Sequence, residues 1–116
     1  METADLEAVV QEYLKAFEAR NLEQCMSFYG DGSTLEFVTV FSGLPQIEEW
    51  HKARFAAGLR VVRVDRITVD GSKVAVDAVA TSKRLRAWRV NSISGTITAL
   101  FDGGKIKEMK FGLRMG

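Results

Sequence analysis

The sequence predicts an α+β fold, with three helices packed on an antiparallel sheet. Three observations carry this reading. Apolar residues in the first half recur at helical spacing. The second half is a series of β-branched segments separated by glycine-bearing turns. The length, 116 residues, suits one domain spanning 1–116, and the chain shows no repeat, low-complexity stretch or linker.

The elements follow in order. Over residues 4–20, Leu6, Val9, Val10, Tyr13, Leu14 and Phe17 form one apolar stripe, with Thr3 expected as N-cap and Asp5 in the first turn. A shorter helix follows, capped by Asn21 in a capping box with Gln24. Cys25, Met26, Phe28 and Tyr29 are its apolar side, Gly30 stops it, and DGS at 31–33 is a turn. TLEFVTVF, 34–41, reads as a strand. SGLP then breaks the chain, and Pro45 suits the first position of a third helix running to about Gly58. RVVRVDRITV, 60–69, turns at DGSK into a long return strand, VAVDAVATSKRLRAW. NSISGTITALF turns at DGGK into IKEMKFGLRM.

Composition narrows the function classes. Hydrophobic residues at 47% and charged residues at 27% are an ordinary soluble mixture, with enough apolar mass for a core and one internal cavity. No apolar run approaches the ~20 residues of a membrane span. METADLEAVV is acidic and helix-patterned, unlike a secretory signal. The lone Cys25 forms no internal disulfide and suits a reducing, cytoplasmic setting. Residues 1–59 carry ten acids against four Lys/Arg, and residues 60–116 five acids against twelve, so the helices are acidic and the strands basic. Solvated faces, pairing across subunits or an anionic partner each fit that asymmetry.

EEWHKARF, 48–55, contains the only histidine. An advance of about 100° per residue puts Trp50, His51 and Phe55 on one arc with Ile47, opposite Glu48, Glu49 and Lys52, with Arg54 at the rim. Tyr13 lies mid-stripe on the first helix. A buried Tyr and a buried His each need a partner. They can pair with each other, directly or through a water. Alternatively the histidine bonds a backbone carbonyl and the tyrosine tip reaches solvent.

The order of elements resembles the NTF2-like, or SnoaL-like, superfamily, whose members include ketosteroid isomerase. The carrying stretches are VVQEYLKAFEARNLEQCMSFYGDGSTLEF, FSGLPQIEEWHKARF and FDGGKIKEMKF. The resemblance implies a strongly curved sheet wrapped into a cystatin-like cone. It places Tyr13 where isomerase-like members carry the donor to a substrate oxyanion, and His51 where a supporting aromatic hydroxyl stands. Trp50, Phe37, Met109, Phe111 and Leu113 fall at pocket-lining positions. The catalytic carboxylates do not carry over. Phe37 occupies the position of the general base, and Glu36, one residue off, points to the other face of its strand. The second acid's place holds Thr96, Ile97 or Thr98.

Other signals are weaker. In KRLRAWR, 83–89, strand alternation puts Arg84, Arg86 and Trp88 on one face, which suits a sheet edge, a dimer interface, a pocket-mouth carboxylate site or nucleic acid. No nucleic-acid motif accompanies it, and no partner of that kind is expected. One His and one Cys far apart make a metal site or other cofactor unexpected. Asp77 interrupts an apolar strand and is a candidate replacement acid.

The reading is a small, mostly apolar ligand held in the cone, with Tyr13 and His51 as polar anchors. As a catalytic pair they would serve as donor and base in isomerase- or cyclase-like chemistry, and the sequence leaves open whether the protein is an enzyme. A homodimer through the sheet is expected. The alternative is a non-catalytic protein–protein association module, with the cone filled by Trp50, Phe55 and Phe111.

Overall fold

The computed structural model describes residues 5–37, 39–83, 87, 89 and 92–113, with the backbone alone at Leu113. The expected α+β arrangement is present: helices on one side of a curved six-stranded sheet. α1 (Leu6–Glu18), α2 (Leu22–Ser27), β1 (Tyr29–Phe37), β2 (Thr39–Ser42), α3 (Leu44–Ala56), β3 (Arg60–Asp70), β4 (Lys73–Thr81), β5 (Ile93–Asp102) and β6 (Lys105–Leu113) follow one another along the chain.

The sheet runs β2-β1-β6-β5-β4-β3. It is mixed, not purely antiparallel, because β1 lies parallel to β6. The meander β3 to β6 is antiparallel, as expected. TLEFVTVF is not one strand. The chain reverses after Phe37, and Thr39 pairs back against it in a tight hairpin. The strand before the reversal starts early, at Tyr29, so the DGS segment read as a turn lies within β1.

Local chemistry sets the helix ends. Asp5, not Thr3, caps α1, its carboxylate accepting the Ala8 N–H at 3.1 Å; Thr3 lies outside the described residues. Asn21 caps α2 by accepting the Gln24 N–H at 3.1 Å. The box is half-formed, since the Gln24 side chain accepts from the Asn21 side chain and the Asn21 backbone N–H goes to the Ala16 carbonyl. Gly43 caps α3 without a side chain, and Pro45 takes the second helical position. The Gln46 side-chain oxygen, Oε1, reaches back to accept the Ser42 N–H at 2.8 Å.

The return strand β4 stops at Thr81. Lys83 and Ala87 have helical backbone, so neither of these two residues extends the strand. Arg84, Arg86 and Trp88, the residues read as one strand face, lie outside the described residues.

The core is aromatic and lies between α1, α3 and the sheet's inner face. Trp50 sits 4.9 Å from Phe111 and 5.6 Å from Phe37, centroid to centroid. Phe17 meets Phe55 edge-on at 5.1 Å. Glu18 ties α1 to the edge strand β3, accepting the Val61 N–H at 2.7 Å and Nε of Arg60 at 3.0 Å.

Candidate functional site

The site is built from the middle of α1 outward. Tyr13, on the buried stripe of that helix, points its hydroxyl at α3. There Ile47, Trp50 and His51 form the buried face, at 0, 2 and 0% exposure. The Tyr13 hydroxyl lies 2.6 Å from Nε2 of His51. It also lies 2.8 Å from the hydroxyl of Tyr29, the first residue of β1. Nδ1 of His51 is 2.8 Å from the Ile47 carbonyl oxygen one turn back. His51 thus meets both Tyr13 and a backbone carbonyl, one at each ring nitrogen, and the tyrosine tip is buried instead of reaching solvent.

These contacts fix the proton positions. A backbone carbonyl only accepts, so Nδ1 of His51 carries a hydrogen and donates it. Burial pushes the His51 pKa below its ordinary 6.5, against an opposing upward pull from the Ile47 carbonyl. The ring is therefore neutral at physiological pH and Nε2 is a bare acceptor. Tyr13 is held protonated, its pKa raised well above the ordinary value, first by burial and then by Tyr29. Tyr13 donates to Nε2, and Tyr29, whose pKa burial also raises, donates to the Tyr13 oxygen. The chain runs Tyr29 to Tyr13 to His51 to the Ile47 carbonyl. It joins the only two tyrosines and the only histidine of the sequence. Tyr29, read from the sequence as part of the apolar side of α2, is the member that reading missed.

Beside this chain lies a half-enclosed cavity of about 250 Å³. Tyr13, Leu14 and Phe17 of α1 form one wall, and Leu59 and Val61 the side toward β3. Ala78 and Ala80 of β4 with Ile93, Gly95 and Ile97 of β5 form the floor, and Phe37 and Phe111 close the far end. The cavity opens above the small floor residues Ala78, Ala80 and Gly95, and register pairs Ala78 directly with Gly95, so the inner face there has almost no side chain. Gly95 is required there, since a Cβ would meet the Gly112 carbonyl oxygen of β6 at 2.8 Å.

Three of the sequence-derived site residues, Tyr13, Phe37 and Phe111, line this space. Trp50, His51 and Met109 are buried behind it, and His51 meets the lining through Tyr13 and through the Phe17 ring, 6.0 Å away centroid to centroid. The side chain of Leu113 lies outside the described residues. Trp50 wedges the aromatic cluster by bulk, as its buried Nε1 meets no acceptor among the described residues. The Arg54 guanidinium stacks over Phe37, 5.2 Å from the ring centroid.

No carboxyl group borders the cavity among the described residues. Phe37 faces inward where the family's base would stand, and Glu36 is exposed on the other face. Ile97 faces inward at the second acid's place. Asp77 is on the outer face, where it accepts from the Thr96 hydroxyl at 2.9 Å. It is therefore no replacement acid. Cys25 is buried, and burial raises its thiol to about 11, which leaves it an unreactive packing residue. Among the described residues no three His, Cys, Asp or Glu side chains cluster. No described helix is long and apolar enough to cross a membrane.

Helices closing one face of a curved mixed sheet around an apolar cavity define a class of cone-shaped α+β domains. The family model for the SnoaL-like domain matches residues 10–109, and the chain belongs to that family, within the NTF2-like superfamily. Solved structures agree in fold. The epoxide hydrolase/cyclase-like enzyme SalBIII, of pyran ring formation in the polyether salinomycin, is 20% identical with a TM-score of 0.81, covering 94% of this chain and 90% of its own. A candidate polyketide cyclase from Sinorhizobium meliloti is 18% identical with a TM-score of 0.80, covering 96% and 99%. An NTF2-like protein of unknown function from Cytophaga hutchinsonii is 14% identical with a TM-score of 0.77, covering 98% and 95%. Identities this low speak for the fold alone. No curated protein matches the sequence.

Proposed function

We propose that this protein binds one small, mostly apolar ligand in the cone, against Tyr13, Phe37 and Phe111. The observation that carries the reading is the cavity of about 250 Å³ left open above Ala78, Ala80 and Gly95. Ligand pockets usually span about 300–1,000 Å³, so this cavity, just below that range, takes a small ligand. Trp50 and Met109 shape the space from behind. Acid–base chemistry of the isomerase or cyclase kind needs a base in contact with substrate. The nearest candidate, His51, stands one residue back, so binding without turnover is the reading favoured here. The setting is cytoplasmic, and no metal, other cofactor or nucleic acid enters it.

The test is calorimetric titration of 2-ethylnaphthalene into the wild type and into Ala80→Leu, which fills the floor. Saturable one-to-one binding to the wild type, lost in the variant, is expected. Equal binding by both proteins places the ligand elsewhere and sinks the reading.

A second reading, association with another protein, draws on Val62, Val64 and Val69, which are 54, 42 and 45% exposed on the edge strand β3. We assign this surface and the outer sheet face to a homodimer, which sedimentation would register as a doubled mass.

A further inference from the structure

We infer that His51 sets the hydrogen-bonding character of the cavity: by holding the Tyr13 proton inward it makes the site one for neutral ligands that need no donor, and disfavours carbonyl compounds and oxyanions. The inference rests on the cavity being a ligand site, and names the class of molecule it takes. A tyrosine at this place in the resembling isomerases donates outward. Here the geometry turns that proton the other way.

Nδ1 of His51 donates to the Ile47 carbonyl at 2.8 Å, so Nε2 is the ring's acceptor. The Tyr13 hydroxyl, 2.6 Å away, has one proton, and Nε2 takes it. Tyr29, 2.8 Å from the same hydroxyl, must then donate, since Tyr13 has nothing left to give. Among the described residues the remaining lining supplies no donor either. The Thr96 hydroxyl is engaged with Asp77, and the backbone of Gly95 and Gly112 belongs to the β5–β6 ladder. The other lining side chains are aliphatic or phenyl. A ligand carbonyl buried here loses its water and gains no partner, whereas a hydrocarbon loses nothing polar. His51 acts through Tyr13, so it is a positioning residue.

Two readouts test this. The sequence has one histidine, so nitrogen-15 spectra of histidine-labelled protein report on His51 alone. A protonated Nδ1 and a bare Nε2 are expected at neutral pH; a proton on Nε2 overturns the inference. The second readout is the affinity ratio of 2-ethylnaphthalene to 2-acetylnaphthalene, which differ mainly by a carbonyl. The wild type should favour the hydrocarbon by at least about tenfold, the scale of an unpaired buried polar group. In His51→Phe, made together with Tyr29→Phe so that the Tyr29 oxygen cannot take the hydrogen instead, the Tyr13 proton is free for a ligand, and the ratio should fall to near one or reverse. A merely structural role would weaken both probes together and leave the ratio unchanged, which overturns the inference. If that double variant does not fold, Tyr13→Phe serves instead. Its ratio should match the wild type, and a ratio about tenfold larger would mean that Tyr13 does donate to the ketone. Failure of both probes to bind removes the ligand-site reading and this inference with it. Binding of both with the ketone tighter removes only the inference.

Discussion

Tyr13 is the middle member of a three-residue hydrogen-bond chain, and its neighbours depend on it unequally. Tyr13→Phe leaves two buried polar groups without partners, Nε2 of His51 and the Tyr29 hydroxyl. Each such group costs about 1–3 kcal/mol. Tyr29→Phe removes only the terminal donor and orphans none, which costs about 1 kcal/mol for the lost bond. Urea unfolding should therefore rank Tyr13→Phe clearly less stable than Tyr29→Phe; equal losses would contradict the proton assignment. The same residues set the pH dependence. Below His51's ordinary 6.5 the unfolded chain takes up a proton that the folded chain resists, so stability falls as pH drops from there. On the alkaline side Cys25, ordinarily 9.0, and the two tyrosines, ordinarily 10.0, are all raised. The unfolded chain then loses protons that the folded chain keeps, and stability falls above about pH 9. Stability measured against pH should show a plateau between these limits, and His51→Phe should flatten the acid side. An unchanged acid limb in that variant would assign the loss to other groups. The pairing of Tyr13 with His51 was legible in the sequence because polar groups on apolar stripes are few. Tyr29 was not, because at the end of a predicted helix it reads as packing.

At the scale of elements, the helices and the antiparallel meander follow from local pattern: the 3.6-residue stripe of α1, the Asn21 cap, and the DGSK and DGGK turns. Two features do not. The reversal between Phe37 and Thr39 has no glycine or proline on either side, so TLEFVTVF reads as a single strand. The parallel docking of β1 on β6 joins residues more than seventy positions apart, and no local pattern encodes such a partner. The cavity floor was missed for a related reason. Ala78, Ala80 and Gly95 announce themselves by what they lack, and small residues give weak signals in any periodic pattern. The Ala80→Leu variant follows from this architecture. The added side chain enters open space instead of packed core, so the variant should unfold no earlier than the wild type on heating. A marked fall in Tm would mean that the floor is already filled.

At the scale of the whole molecule, the cone is divided between two tasks. Trp50, Phe55, Phe17, Phe37 and Phe111 pack its closed end into an aromatic core. The other part, between α1 and the strands β4 and β5, is left open. The resemblance in the sequence gave the cone and three of the cavity's walls, but it also suggested a donor-and-base pair facing a substrate. The fold keeps the pair together, with the Tyr13 hydroxyl against His51 behind the cavity and Tyr13 itself lining the apolar space. The most direct test is a crystal structure of the wild type soaked with 2-ethylnaphthalene. The account predicts density for the hydrocarbon between Tyr13, Phe37, Phe111 and the Ala78–Gly95 floor, with the Tyr13–His51 contact intact. Density elsewhere, or a cavity closed by movement of α1 onto β4, would contradict it.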